Sequence, residues 1–132
     1  PDVVFCPDPW ARYEAHQDHI VTGKATAQAF ISTALAQYPR GTQTQPWQPS
    51  AIGFYFTQEP NTVVDVSDTF EKKFAAMALH HTQLNEEMLG LYRVYFTMQA
   101  QQRAQGHDFA LGEGLKVLGP LHMHCFTEAP QI

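Results

Sequence analysis

Tyr13-Glu14-Ala15-His16-Gln17-Asp18-His19 follows a short apolar run, Val3-Val4-Phe5-Cys6, and the Pro7-Asp8-Pro9 break that closes it. An apolar run of this length bounded by prolines reads as a strand, Val3 to Cys6, buried on both faces. Residues 7–19 read as a loop rich in Pro, Trp, Tyr and His. A helix is expected from about Asp18 to Tyr38, with Phe30, Ile31, Ala34, Leu35 and Tyr38 as its apolar stripe. Asp18 then falls near the helix N-terminus, where the dipole favours an acid, and Pro39-Arg40-Gly41 is the expected stop. Loops that leave a strand and feed a helix are where α/β proteins place their chemistry.

Further along, Ala51–Phe56 and Thr62–Val66 read as strands, separated by the turn Gln58-Glu59-Pro60-Asn61. Ser67 or Asp68 is expected to cap a helix, Asp68 and Glu71 having capping-box spacing. Its apolar face is Phe70, Phe74, Met77, Ala78 and His81. Another helix is expected from about Asn85 to Gln105, with Met88, Leu91, Tyr92, Tyr95 and Phe96 inward and Gly106 as its stop. In the tail, Leu121-His122-Met123-His124-Cys125-Phe126 alternates as an edge strand would. There is no repeat or second domain in this reading: residues 1–132 form a single α/β domain.

The totals narrow the function. Net charge is −5 with only 16% charged residues, and no basic cluster offers a footprint for nucleic acid. No apolar run approaches the length of a membrane span, and no signal-peptide pattern is seen. Cys6 and Cys125 are the only cysteines. A buried thiol at Cys6 in a reduced, cytoplasmic protein is the simplest expectation.

His16 and His19 lie three residues apart around Asp18. Imidazole is a common zinc ligand, and a neighbouring carboxylate can fix its tautomer. One histidine on a metal and another off it would supply a ligand plus a general acid or oxyanion stabiliser. The competing reading makes both of them polar loop residues that cap the following helix. His122 and His124 face one side of their expected strand and read as half-exposed edge residues. His80-His81 reads as a helix end, and Cys6 as too buried to be a nucleophile.

Several of these stretches, in this order, resemble the second half of the LmbE/PIG-L-like zinc-dependent N-deacetylases. They are Pro-Asp-Val-Val-Phe (1–5), Pro-Asp-Pro (7–9), His16-Gln17-Asp18-His19 and Thr22-Gly23-Lys24-Ala25. Asn61-Thr62-Val63-Val64-Asp65-Val66, the segment Glu71–Ala76, His80-His81-Thr82-Gln83 and Gly112–Leu118 continue the likeness over nearly the whole chain. Gln17 stands where that family carries proline. The resemblance implies an α/β fold: a partial Rossmann-like sheet with flanking helices, equivalent to the C-terminal part of the deacetylase fold. It implies that His19 is a zinc ligand, that His16 polarises the amide or protonates the leaving amine, and that Asp18 orients and charges His16. Trp10 would line the substrate cleft, and Tyr13 or Glu14 stands near the position of a mobile tyrosine in some relatives; Tyr13 is one residue out of register, which leaves Trp10 and Glu14 on the substrate side.

The family's first strand, ending in His-Pro-Asp-Asp, supplies the other two protein ligands and the general base. Nothing in this sequence matches it. Two functions are therefore expected. One is part of a zinc-dependent hydrolase acting on an N-acyl amino sugar or similar small amide. The other is a catalytically inactive half-domain that folds by self-association or with a partner chain, either as a homo-oligomer or with a complementing N-terminal half. Neither involves nucleic acid or membrane.

Overall fold

A computed structural model describes residues 1–132. The elements in chain order are β1 (Val3–Pro7), α1 (Gln17–Ser32), β2 (Ala51–Tyr55), β3 (Thr62–Asp65), α2 (Phe70–Ala78), α3 (Glu86–Arg103) and β4 (Gly112–Leu118). They make a mixed α/β fold whose sheet has the order β1-β2-β4-β3. β1 and β2 are parallel, joined through α1, while β4 runs antiparallel to β2. The α/β class expected from the sequence is what the chain forms. Contacts divide it into two compact units, Pro1–Thr62 with Gly114–Ile132, and Val63–Glu113.

In the first unit the core is Cys6, Ala27, Phe30, Ile52, Phe54 and Leu118. α1 buries Gly23, Ala27 and Phe30, spaced at i, i+4 and i+7, so one stripe of the helix faces the sheet. Full burial of a side chain such as Phe30 or Ile52 is worth about 1.5–3 kcal/mol. β1 lies at the sheet edge, and this corrects the doubly buried strand expected from its apolar run. Val3 and Phe5 stay 45% and 58% exposed, while Cys6 faces the core. Only β2 pairs with β1, so its outer edge has no strand partner.

α1 ends at Ser32, a full turn and more before the Pro39-Arg40-Gly41 stop. The Thr33 hydroxyl donates to the Phe30 carbonyl, and the Gln48 amide donates to the same oxygen. Trp47 N–H donates to the Thr33 carbonyl. The loop before β2 thus satisfies the helix end, and Leu35 and Tyr38 are left exposed. Residues 121–126 form turns rather than the expected edge strand; the strand is β4, immediately before them.

In the second unit, α2 and α3 pack Phe70, Phe74 and Ala100 together, with Phe96 and Leu111 beside them. The expected capping box at Asp68 is not formed, because the N-cap is Thr69 and it makes no side-chain bond. Ser67 is occupied by Asp65 and by Leu111 N–H, and Glu71 holds Arg93 through both carboxylate oxygens at 2.7 and 2.8 Å. The inward stripe of α3 runs through Tyr92, Phe96 and Ala100. Leu91 and Tyr95, expected inward, are exposed. Asn85 caps α3 through Met88 N–H at 2.8 Å, and Gly106 at φ +86° terminates the run as expected.

Both cysteines are free, Cys6 buried and Cys125 exposed. Burial, aided by the Asp8 charge, pushes the Cys6 thiol up to about 11. At pH 8 the folded chain is therefore expected to take up a single equivalent of a thiol-directed maleimide, at Cys125. The second should react only after unfolding in guanidinium. Rapid double labelling of the native chain would show that Cys6 is accessible.

Candidate functional site

The loop from β1 to α1 is built by local hydrogen bonds. Asp8 N–H donates to the Tyr55 carbonyl at 2.9 Å, extending the β1–β2 ladder by one bond. The Asp8 carboxylate then accepts Trp10 N–H at 2.9 Å, an Asx turn that reverses the chain. Arg12 is tied to the loop after β2: its N–H donates to Gln58 Oε1 at 2.9 Å, and its guanidinium lies 3.6 Å from Glu59. Tyr13 takes φ +66°, the left-handed conformation that non-glycine residues seldom adopt. This turn sends Glu14 back toward the start of α1.

Glu14 organises the first turn of that helix. Its Oε1 accepts His16 N–H at 2.7 Å and its Oε2 accepts the His19 Nδ1–H at 2.9 Å. His16 is the N-cap of α1, and its Nδ1 accepts Asp18 N–H at 3.3 Å. The two imidazoles stack with centroids 4.6 Å apart, and the Phe56 ring lies 5.9 Å from that of His19. The hydrogen bond from His19, reinforced by His16 N–H, holds the Glu14 carboxyl below the usual glutamate range.

These bonds give the two rings opposite tautomers. Glu14, as a carboxylate, only accepts, so His19 carries its proton on Nδ1 and presents a bare Nε2 lone pair. His16 accepts at Nδ1, so in the neutral ring its proton is on Nε2 and points outward as a donor. One ring is prepared as a ligand or base and the other as a hydrogen-bond donor. Asp18 meets His16 through its backbone N–H, and its carboxylate lies in the first turn of α1. Glu14 is the carboxylate that the bonds place on His19. Sequence reading put Glu14 on the substrate side and did not assign it this clamp, although an acid just ahead of an N-cap is a recognisable position for one.

The donor set fits one ligand position of a zinc site. It does not complete one, since no three His, Cys, Asp or Glu side chains of this chain converge where a metal could be held. His122 and His124 lie in the turns after β4, where His122 Nδ1 accepts Gly119 N–H at 3.0 Å. Trp10 is 58% exposed, meets Phe54 edge-on at 5.5 Å, and forms one wall of a cavity of about 400 Å³ within the first unit.

Glu14 sets an acid limit on this arrangement. Its folded value lies below the unfolded one of about 4.3, so its contribution is complete above that pH and is lost as pH falls through the folded value. His19 ring-nitrogen NMR signals are expected to keep the Nδ1–H tautomer's hydrogen-bonded signature at pH 7 in the wild type and to lose it in Glu14→Gln. An unchanged signature in that variant would show that another group holds the ring.

Three comparisons bear on this geometry. No protein-family profile matches the chain. It is 33% identical over 129 residues to the diacetylchitobiose deacetylase of Thermococcus kodakarensis, an alignment covering 94% of this chain and 48% of that protein. Among solved structures it matches the N,N'-diacetylchitobiose deacetylase of Pyrococcus horikoshii, determined with its inhibitor MPG. The TM-score is 0.87 with 28% identity, covering 100% of this chain and 51% of that one. The hydratase GalB of Pseudomonas putida shares the fold at TM-score 0.66 and 20% identity, over 91% of this chain and 53% of its own. The chain spans about half the length of the relatives it matches. The resemblance to the C-terminal part of an LmbE/PIG-L-like deacetylase, stated from the sequence, is borne out by the two deacetylases.

Proposed function

We propose that residues 1–132 are the His16/His19-bearing part of a zinc-dependent deacetylase acting on an N-acyl amino sugar. The observation that carries this reading is the pair of opposite tautomers, one imidazole with a free lone pair and its neighbour with an outward N–H. The similarity to two diacetylchitobiose deacetylases supplies the substrate class.

In this reading His19 Nε2, oriented by Glu14, would hold the metal, and the remaining ligands would come from outside residues 1–132. Bound zinc would supply an activated water and polarise the acyl carbonyl. The carboxylate that would take the water's proton also comes from outside residues 1–132. His16 Nε2–H would donate to the carbonyl oxygen as negative charge builds on it; to protonate the departing amine the ring would first have to be protonated to imidazolium, which then returns to neutral imidazole. The water oxygen ends on acetate, the C–N bond breaks, and the amine leaves protonated. Asp18, in the first turn of α1, stabilises positive charge on His16 when the ring is protonated. Trp10 lines the sugar cleft. Both cysteines being unpaired suits a reducing cytoplasm, and no helix is long and apolar enough to cross a membrane.

The test is a chimera in which residues 1–132 replace the matching half of the Thermococcus deacetylase. Zinc-dependent release of acetate from diacetylchitobiose is expected, abolished by a chelator and restored by added zinc. A folded, zinc-loaded chimera that releases no acetate would overturn the assignment.

One observation favours a second reading, a non-catalytic half-domain completed by self-association or by a partner chain. β1 is a parallel strand at the sheet edge with Val3 and Phe5 exposed, and uncovered apolar edges recruit strands. Light scattering separates the readings at this point, since a well-folded monomer at high concentration would sink the second.

A further inference from the structure

α3 carries two apolar stripes, and only one of them packs within the chain. Phe96 and Ala100 lie against Phe70 and Phe74 of α2. Away from α2, Met88, Leu91, Tyr95 and Met98 recur at i, i+3, i+7 and i+10, with Val94 beside them. This spacing sets the four on one line of the helix, the seam along which a second helix packs at a shallow angle. All five are exposed, Leu91 by 70% and Met98 by 65%.

The outward face of a surface helix normally carries charge. Here, between Met88 and Gln102, the only charged residue is Arg93. It is held to α2 by both carboxylate oxygens of Glu71, and its guanidinium lies over the Phe74 ring at 4.2 Å. The stripe itself is bordered by Gln99, Gln101 and Gln102, with Glu87 at its N-terminal end. Nothing in the packing of α3 on α2 calls for a second row of large apolar side chains.

We infer that this stripe is where a second copy of the chain packs, α3 against α3 in antiparallel order about a two-fold axis. The symmetry of the stripe selects the occupant. Turned end for end it falls on itself: Met88 of one copy meets Met98 of the other, and Leu91 meets Tyr95, each pair occurring twice. A helix from outside residues 1–132 would not require that match. The two Val94 side chains would lie beside the axis, and Glu87 of one copy beside Gln101 of the other, so no like charges meet. Antiparallel order also opposes the two helix dipoles, which a parallel pair would align. The five apolar side chains leave on the order of 500 Å² open per copy. With the bordering glutamines, that approaches the patch of about 800 Å² per partner of an ordinary stable interface. An interface at the small end of the range should form reversibly at micromolar chain concentrations. It involves neither β1 nor the histidine loop.

Sedimentation equilibrium of the 132-residue chain, from low to high micromolar, tests this. A reversible monomer–dimer equilibrium is expected. Leu91→Glu should weaken it about tenfold or more, and Met98→Glu likewise. Both positions face water in the monomer and glutamate is a good helix former, so the fold, followed by circular dichroism, should hold. Val3→Lys, which charges the β1 edge, should leave the dimer unchanged. The orientation is tested by mixing. Tyr95→Lys alone should also weaken association. An equimolar mixture with Leu91→Glu sets a glutamate against a lysine in one layer and keeps Leu91 against Tyr95 in the other. It should associate about tenfold more tightly than either variant alone. A chain that stays monomeric throughout would overturn the proposal and give the stripe to a partner from outside residues 1–132. A dimer lost in Val3→Lys and kept in folded Leu91→Glu would overturn it in favour of the β1 edge. No gain in the mixture would overturn the antiparallel order. Acetate release enters none of these measurements, so the deacetylase assignment is tested apart from them.

Discussion

Gly23→Ala is expected to destabilise the chain by about 2–3 kcal/mol, and Gly23→Val by more, measured by urea unfolding. In an ordinary helix interior the first change would stabilise by about 0.5–1 kcal/mol, because alanine loses less backbone entropy on folding. Here the sign is reversed by what a Cβ would meet. It would lie 2.5 Å from the Pro7 carbonyl oxygen and 2.9 Å from both Cβ and Cδ of Pro9. None of these is a flexible side-chain end. Pro7 closes β1, and Pro9 is a rigid ring in the loop that leads to His16. Relief therefore requires α1 to lift from the strand it packs on, which opens the contact around Cys6, Ala27 and Phe30. Gly90, in the interior of α3, is the internal control. Nothing lies within 4 Å of its would-be Cβ, so Gly90→Ala should gain about 0.5–1 kcal/mol. If both substitutions shift the urea midpoint in the same direction, the close approach at Gly23 does not exist.

That contrast marks what could be read in advance. The start of α1 was legible because its signals are local: a proline-closed apolar run, a polar loop, and an acid in the first helical turn. Its end was not. The stripe Phe30, Ile31, Ala34, Leu35, Tyr38 keeps helical spacing past Ser32, and what stops the helix is Gln48 and Trp47, brought to its last carbonyls from a loop distant in sequence. β1 was legible as a strand, while its exposure was not, since an apolar run reads alike whether its neighbour strands are present or not. β4 was hidden by Lys116, a charge placed where the pattern demands a hydrophobe. The histidine pair was legible as chemistry. Its division of labour was not, because the tautomers are set by two bonds, Glu14 to His19 and Asp18 N–H to His16, that spacing alone does not rank.

In the chimera with the Thermococcus deacetylase, His16→Ala is expected to lower kcat for acetate release by about 10²–10³-fold with zinc content unchanged, the usual loss when one oxyanion donor is removed. His19→Ala is expected to abolish release and to lower zinc content at the same time. The two readouts separate the roles: a donor affects rate alone, while a ligand affects metal as well. Glu14→Gln makes the finer test. The amide keeps the shape but lacks the full charge on Oε2, so it weakens the bond that keeps the His19 proton on Nδ1. A loss of about 10–100-fold in metal affinity is the usual consequence of removing such a partner. It should be smaller than that of His19→Ala and should leave the fold intact, since Glu14 takes no part in the core cluster. Full zinc content in folded His19→Ala would remove His19 from the ligand set. Loss of zinc in His16→Ala would reverse the two assignments, and with them the tautomers on which the proposed chemistry depends.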